Sequence, residues 1–388
     1  MPGDKVDRDY KVELILIIDT MTYNRTLPYN DLPDLPPVFD AATSELLINH
    51  AIKAARSLAE LKGLCETLPR ESLFNLLINT IVLQESKDSS AIENIVTTQD
   101  ELYMAAAEEA GTTSATKEVL GYRTALYAGL KYMKEQNNII STNLMVNVAQ
   151  KISQNTSGIR RTPGTALKNN ITGEIVYTPP CCEDLLREKL KHLEIFINDP
   201  DFCKLDPIIK LALLHYQFES IHPFGDGNGR TGRILNSLYL VQQNLLSSPV
   251  IYLSSYIIDN KQDYYRLLHE VTEKQNWRDW IMFMTTAVNE TANLTNRKIR
   301  GIIQLRKEME EKTMQVLEKF NKRHELYDLM FTIPYLKIEI VVKKGIAHRQ
   351  TAAVYLKVLA ANSILKPIKL GKTTYYVNHK LLDLITQR

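Results

Sequence analysis

Cysteine is scarce: Cys65, Cys181, Cys182 and Cys203 are the only four in 388 residues. That is too few for a disulfide scaffold, and adjacent Cys181-Cys182 has neither a CxxC redox spacing nor a zinc spacing. The eight histidines offer no HxxxH or Cys/His pattern. Long apolar runs are missing as well. No stretch reaches the roughly 18 apolar residues that a membrane helix needs. The first apolar run, 12–18, is interrupted by Glu13 and closed by Asp19. It has no basic flank or small-residue cleavage site of the secretory kind. Neither sign of charge dominates, since 47 Lys/Arg stand against 45 Asp/Glu. These absences exclude a disulfide-stapled secreted domain and predict no membrane span. The expectation is a soluble, cytoplasmic protein with reduced thiols.

The remaining composition, 44% hydrophobic and 24% charged, is ordinary for a globular chain of two or three domains. Charge is uneven along it: from Gly301 to Arg388, sixteen Lys/Arg face eight Asp/Glu, a net of +8 against −6 for the rest. Lys11–Ile18 reads as a strand. Four prolines in 27–37 oppose helix and predict an extended arm. From Ala41, the residues Leu46, Leu47, Ile52, Ala55, Leu58 and Leu61 recur near the helical period, with Gly63 as a stop. A second helix is expected from about Ser72 to Glu85, and Thr98-Gln99-Asp100-Glu101 has the form of a capping box opening a third. Helical patterns continue over 116–135, 143–154, 183–197, 206–220, 229–243, 261–273 and 277–288, with a separate charge-laced connector helix at about 290–320. Thr172-Gly173, between Ala166–Lys168 and Glu174–Thr178, signals a hairpin that Pro179-Pro180 ends. Beyond 320, short helices at Leu326–Ile333, Tyr335–Lys343 and Gln350–Ala360 precede strands at Ile364–Lys366 and Thr373–Val377, around Gly371. Three helices and a two-stranded wing resemble a winged helix-turn-helix.

The segment His222-Pro-Phe-Gly-Asp-Gly-Asn-Gly-Arg-Thr-Gly-Arg233 carries the clearest chemistry. Glycines let backbone N–H groups approach an anion, and the apolar run 235–240 makes the segment a loop opening into a helix. Arg230 and Arg233 are three apart, hence on one helix face. The combination suggests a polyphosphate cradle with a base, His222, at its mouth. Each residue also has a plainer reading: His222 as a capping or packing residue, Asp226 as an Asx-turn residue, the arginines as solvated helix residues. His215 reads as structural.

The run fits H-x-F-x-[D/E]-G-N-G-R-x-x-R at every fixed position and resembles the Fic (Fido) family. The resemblance implies a mainly α fold: a Fic-type helical core with a β-hairpin flap, plus the small C-terminal winged helix-turn-helix. It implies a protein adenylyltransferase that moves AMP from Mg-ATP to a hydroxyl side chain. In that reading His222 is the general base and Asp226 the Mg²⁺ ligand. Gly227, Asn228, Gly229, Arg230, Thr231, Gly232 and Arg233 bind ATP, with Phe224 as a buried anchor. Tyr264 borders the adenine pocket, though Tyr264-Tyr265 also fits ordinary packing. Ser89, Glu93 and Asn94 match a family inhibitory motif, [S/T]-x-x-x-E-[G/N], in which Glu93 pairs with Arg233; the plainer alternative is a surface carboxylate. The hairpin, with Ile175, Val176, Tyr177 and Thr178, resembles the flap that aligns a target segment. One departure is Gly121, where relatives often carry Asn.

The domains implied are 1–110 (arm and inhibitory helices), 111–290 (catalytic core), 291–320 (connector) and 321–388 (winged helix). The partner is a target protein bearing a Ser, Thr or Tyr hydroxyl. Self-modification, a homodimer and nucleic acid stay open, and no membrane is expected. Two rivals also stay open. One is the same fold with another donor, or removing AMP. The other is a DNA-binding regulator using His348, Arg349, Gln350 and Lys357, with a nucleotide-sensing core.

Overall fold

The computed structural model describes residues 23–67, 73–108, 113–169, 172–370 and 373–387. The strand expected at Lys11–Ile18 and the turn at Gly371 lie outside them. The described chain is mainly α-helical with two small antiparallel sheets.

Helix α1 (Ala41–Thr67) buries Leu47, Ala51, Ala54, Leu58, Leu61 and Cys65, and leaves Leu46 and Ile52 exposed. It does not stop at Gly63. An interior glycine costs roughly 1 kcal/mol, and the turn beyond it buries Cys65. Helix α2 (Leu73–Ile92) outruns its expected end at Glu85 by two turns. The polar run from Glu85 to Ser90 resembles a loop in sequence, but all of these residues except the half-buried Lys87 are buried and most have partners in the fold. The Glu85 carboxylate accepts from the Ser254 N–H at 2.8 Å and from Tyr122 at 3.1 Å, and Asp88 accepts from Tyr252 at 2.5 Å. Helix α3 (Gln99–Glu108) opens on the expected capping box, with the Glu101 N–H on Thr98 Oγ1 and the Thr98 N–H on Glu101 Oε2, both at 3.2 Å.

Helices α4 (Ser114–Glu135), α5 (Thr142–Ser153) and α6 (Glu183–Asn198) surround α7 (Pro207–Ile221) and α8 (Asn228–Gln242). Both α7 and α8 are buried nearly all round, as suits the centre of a helical core. Strands β1 (Leu167–Lys168) and β2 (Ile175–Tyr177) form the expected hairpin, with Gly173 in the turn at φ +73°. Sequence patterns miss α9 (Leu253–Asp259), which is too short to show a period. Helix α10 (Lys261–Lys274) follows. The two helices expected over 277–320 are one 40-residue helix, α11 (Trp277–Val316).

After α12 (Arg323–Thr332), Tyr335 does not begin a helix. Tyr335–Leu336 is strand β3, and α13 spans Ile338–Lys343. Helix α14 (Arg349–Ala361), strands β4 (Lys366–Leu370) and β5 (Thr373–Val377) and α15 (His379–Thr386) complete the unit, with sheet order β3-β5-β4. Pairing with β5 draws Tyr335 into the sheet, where Tyr335 faces Val377. No helix among the described residues is long and apolar enough to cross a membrane.

Candidate active site

Helix α7 begins with Asp206 accepting from the Ile208 N–H at 2.8 Å and ends at His222. His222 takes the left-handed cap conformation, φ 48° and ψ 58°, and its N–H bonds to the Phe218 carbonyl. The backbone therefore caps the helix while the half-buried imidazole stays free for other work. Its Nδ1 lies 3.3 Å from the Glu219 carbonyl. That contact makes Nδ1 the protonated nitrogen and leaves the Nε2 lone pair available. Burial, with help from the Arg160 charge, pushes the imidazole down to about 4. It is thus neutral, and able to take a proton, throughout the physiological range.

The following loop is pinned from within. Phe224 is buried, and the Asn228 side chain accepts from the Phe224 N–H at 2.9 Å and donates to its carbonyl at 2.7 Å. Asn228 therefore spends its amide on the loop. Gly227 adopts φ +81°, and α8 makes its first backbone bond from the Thr231 N–H to the Gly227 carbonyl. The N–H groups of 228–230 precede it, the usual makings of an anion site. Gly232 lets α7 and α8 approach closely; a Cβ there would fall 2.4 Å from Glu219 Oε1. Thr231 is fully buried.

An anion already stands at this helix terminus. Arg233, buried at 1% exposure, donates Nη2 to Glu93 Oε1 at 2.9 Å. It is held in place by Ser89, with Nε on Oγ and Nη2 on the carbonyl, both 2.8 Å. A Cβ on Gly229 would lie 2.1 Å from Glu93 Oε1. The carboxylate thus occupies the space over the first turn of α8. The sequence motif has brought together residues 140 positions apart. Ser89 lies on α2, whereas Glu93 and Asn94 lie just past its end, Asn94 at φ 63° and accepting from Lys261 at 3.1 Å.

Arg230 is buried and committed to protein partners, Glu118 Oε2 at 3.1 Å and Asp226 Oδ2 at 3.3 Å. The Asp226 carboxylate is 69% exposed and meets Arg230 through Oδ2. A single exposed carboxylate beside an anion-binding helix end fits magnesium, which takes one or two carboxylates together with phosphates and water.

Tyr264 sits elsewhere than expected. It is 2% exposed, its hydroxyl lies 2.9 Å from His215 Nε2, and its ring packs against Trp280. The apolar side of α10 turns it inward, so it presents no stacking face. Its neighbour Tyr265 is 41% exposed and is the aromatic ring offered outward. His215 is structural, accepting from Asn236 at 3.1 Å and stacked on Trp280. Of the hairpin, Tyr177 and Thr178 are buried: Tyr177 donates to the Ser220 carbonyl at 2.8 Å and Thr178 to that of Arg25 at 2.7 Å. Ile175 and Val176 are partly exposed.

Three groups escaped the sequence reading. Arg160 donates Nε to the His222 carbonyl at 2.8 Å and Nη2 to the Pro180 carbonyl, bracing His222 from behind. Glu219, three residues before His222, is pushed up to about 8 by burial and has Oε1 unpartnered. Glu85 is pushed up to about 7 by burial, against the pull of its Ser254 hydrogen bonds. A carboxyl inside a helical run looks like a surface residue until the fold is known.

Residues 48–131 match the family model for the Fic/DOC family N-terminal region and 139–240 that for the Fic/DOC family. Residues 305–381 match the C-terminal domain of protein adenylyltransferase SoFic-like proteins. The protein adenylyltransferase fic-1 of Caenorhabditis briggsae is 30% identical over 155 residues, 39% of this chain and 28% of that protein. The protein adenylyltransferase Fic of Nematostella vectensis is 33% identical over 116 residues, 30% of this chain and 25% of that protein. The chain thus spans about a quarter of these relatives' length. Among solved structures, a Fic family protein from Desulfovibrio desulfuricans superposes with TM-score 0.55 at 17% identity, over 88% of this chain and 98% of that one. Fic-1 from Caenorhabditis elegans gives TM-score 0.52 at 20% identity, over 68% and 76%. At such identities the likeness is one of fold.

Proposed function

Because this chain belongs to the Fic/DOC family, we propose that it is a protein adenylyltransferase using Mg-ATP, held inactive by Glu93. The observation that carries the reading is the Glu93 carboxylate seated on Arg233 over the N-terminus of α8. A site that accepts one anion there can accept another, and the γ-phosphate is the natural competitor.

In the active form, a Ser, Thr or Tyr hydroxyl of the target gives its proton to His222 Nε2. The oxygen attacks the α-phosphorus, forms the new P–O bond, and pyrophosphate leaves. Magnesium would be held by Asp226 and the phosphates, and would neutralise charge on them. The N–H groups of 228–230 face the phosphates, and Arg233 takes the γ-phosphate through its planar fork. Catalysis is then chiefly positioning and electrostatics. Arg230, fixed by Glu118 and Asp226, acts on the metal site more than on phosphate directly. Ile175 and Val176 offer backbone for pairing with a target segment. Tyr265, in place of Tyr264, supplies the aromatic at the pocket's edge.

The working division is 1–110, 111–290, 291–320 and 321–388, the last a winged helix in the order of its helices and strands. Its exposed Gln350 and Lys357 on α14 keep a nucleic-acid role for that unit in view. The free cysteines agree with the cytoplasm as its place. The deciding experiment is incubation with α-labelled ATP and Mg²⁺, comparing wild type, Glu93→Gly and His222→Ala. Stronger label transfer by Glu93→Gly than by wild type, and its loss in His222→Ala, are expected; no transfer by any form to itself or to a lysate overturns the assignment.

A further inference from the structure

The one adjacent pair of thiols lies beside this site and has no part in the chemistry above. Cys181 and Cys182 follow the hairpin and lead straight into α6, with their sulfurs 3.2 Å apart. Cys182 is exposed and Cys181 half-buried. Cys182 occupies the cap of α6 at φ 74° and ψ 134°, with no side-chain cap bond. Residues other than glycine rarely enter that region, and cap positions favour Ser, Thr, Asp or Asn. Nothing in helix capping accounts for the conformation.

The turn is tied to the base. The Cys181 N–H donates to Asn30 Oδ1 at 3.0 Å, and the Pro180 carbonyl receives Arg160 Nη2. The same guanidinium holds the His222 carbonyl at 2.8 Å, and the Arg160 N–H donates to the Pro223 carbonyl at 2.9 Å. One residue thus joins the dithiol turn to the backbone carbonyls of His222 and Pro223.

We propose that Cys181 and Cys182 form a reversible vicinal disulfide, by exchange with a low-molecular-weight disulfide, and that the closed ring displaces His222 through Arg160. The effect on transfer rests on the function proposed above; the disulfide itself does not. The exposed Cys182 thiolate attacks one sulfur of the small disulfide, whose S–S bond breaks and releases a thiolate. The Cys181 thiolate then attacks the Cys182 sulfur and releases the second. The two protons lost by the protein end on the two released thiols, so two protein thiols are oxidised and one small disulfide is reduced. Closure brings the sulfurs from 3.2 Å to about 2.0 Å. Adjacent Cα atoms lie about 3.8 Å apart, short of the roughly 4.4–6.8 Å usual for a disulfide. The ring is therefore strained and easily reduced, as suits a switch. Its closure must turn the peptide that follows Pro180, whose carbonyl Arg160 grips. A hydrogen bond with Cys181 pushes the Cys182 thiol up, so exchange quickens as pH rises. Cys65 and Cys203 are buried and do not compete.

The test treats full-length protein with glutathione disulfide and maps its thiols by peptide mass. The expected product is a Cys181–Cys182 ring, lighter by two hydrogens and reopened by dithiothreitol. A persistent glutathione adduct, or four free thiols throughout, overturns the proposal. Coupling is read two ways, in oxidised and reduced protein. Amide exchange in the segment holding His222 should rise on oxidation. Transfer by Glu93→Gly should fall on the order of tenfold or more, reversibly, and not in Glu93→Gly/Cys182→Ser. A ring that forms without altering amide exchange overturns the link to His222. If no form transfers AMP at all, the proposed function fails, while peptide mass and amide exchange still decide the switch.

Discussion

Replacing Glu93 with glycine should raise activity, by an amount the geometry bounds. The Glu93–Arg233 contact is a 2.9 Å charge-assisted bond to a guanidinium that is 1% exposed. Hydrogen bonds to charged groups contribute about 1.5–3 kcal/mol. The Glu93 side chain is 35% exposed, so solvent screening reduces this to about 1–2 kcal/mol, or roughly 5- to 30-fold at 1.4 kcal/mol per tenfold. The freed arginine would not wander, since Ser89 retains it through two bonds of 2.8 Å. The assay is label transfer from α-labelled ATP, to the protein itself and to a lysate. Glu93→Gly/Arg233→Ala should lose the gain, and Glu93→Gly/Ser89→Ala should keep only part of it. If Glu93→Gly matches wild type, or if the gain survives loss of Arg233, the contact does not restrain the site.

Five further outcomes follow from the same geometry. His222→Ala should keep ATP binding in calorimetry yet lose transfer by on the order of a hundredfold. Burial holds the imidazole near 4, and Glu93 is among the groups that raise it, so in Glu93→Gly transfer should show no acid limb near pH 6.5; an inflection there would mean that burial does not tune His222. Asp226→Ala should shift the magnesium dependence of turnover with little change in helical circular dichroism, and an unchanged dependence removes Asp226 as the ligand. Glu219 has a folded value of about 8 against 4.5, so its contribution to stability is present below pH 4.5 and lost as pH rises through 8. Glu219→Gln should therefore raise the unfolding temperature more at pH 8 than at pH 5, and equal shifts would contradict the assignment. Tyr264→Phe should cost about 1–3 kcal/mol of stability by stranding His215 Nε2, with ATP affinity unchanged; weakened ATP binding with full stability would return Tyr264 to the pocket.

What the sequence displayed and what it hid divide along physical lines. Residues 222–233 are local, and glycine spacing with a following apolar run shows the loop and helix without knowledge of the fold. The Thr98–Glu101 box is local too, and its two hydrogen bonds form as expected. The meeting of Glu93 with Arg233 came through resemblance, since nothing local couples positions 140 apart. Burial of polar groups was hidden. Glu85 to Ser90 reads as a break, yet extends α2, because partners such as Ser254 and Tyr252 arrive from distant parts of the chain. Tyr264 and Tyr265 are adjacent aromatics, and only the orientation of α10 decides which ring faces outward. Gly63 and the residues near 290 looked like ends because local propensity is weak beside tertiary packing.

The uninterrupted helix from Trp277 to Val316 sets a matter of phase. Lys298 donates to the Ile385 carbonyl at 2.6 Å, Gly301 admits Leu384, and Arg306 engages Asp328. All three sit downstream of Trp280, which donates to the Ala212 carbonyl at 2.8 Å. A helix advances about 1.5 Å and turns about 100° per residue. One residue inserted between Trp280 and Lys298 would swing the three docking positions through more than a quarter turn, taking Lys298 off its carbonyl and facing Gly301 away from Leu384. Seven inserted residues would come within about 20° of the original bearing, though displaced along the axis by about 10 Å. The length of this segment is therefore a registered quantity, as strict as the identity of its contacts.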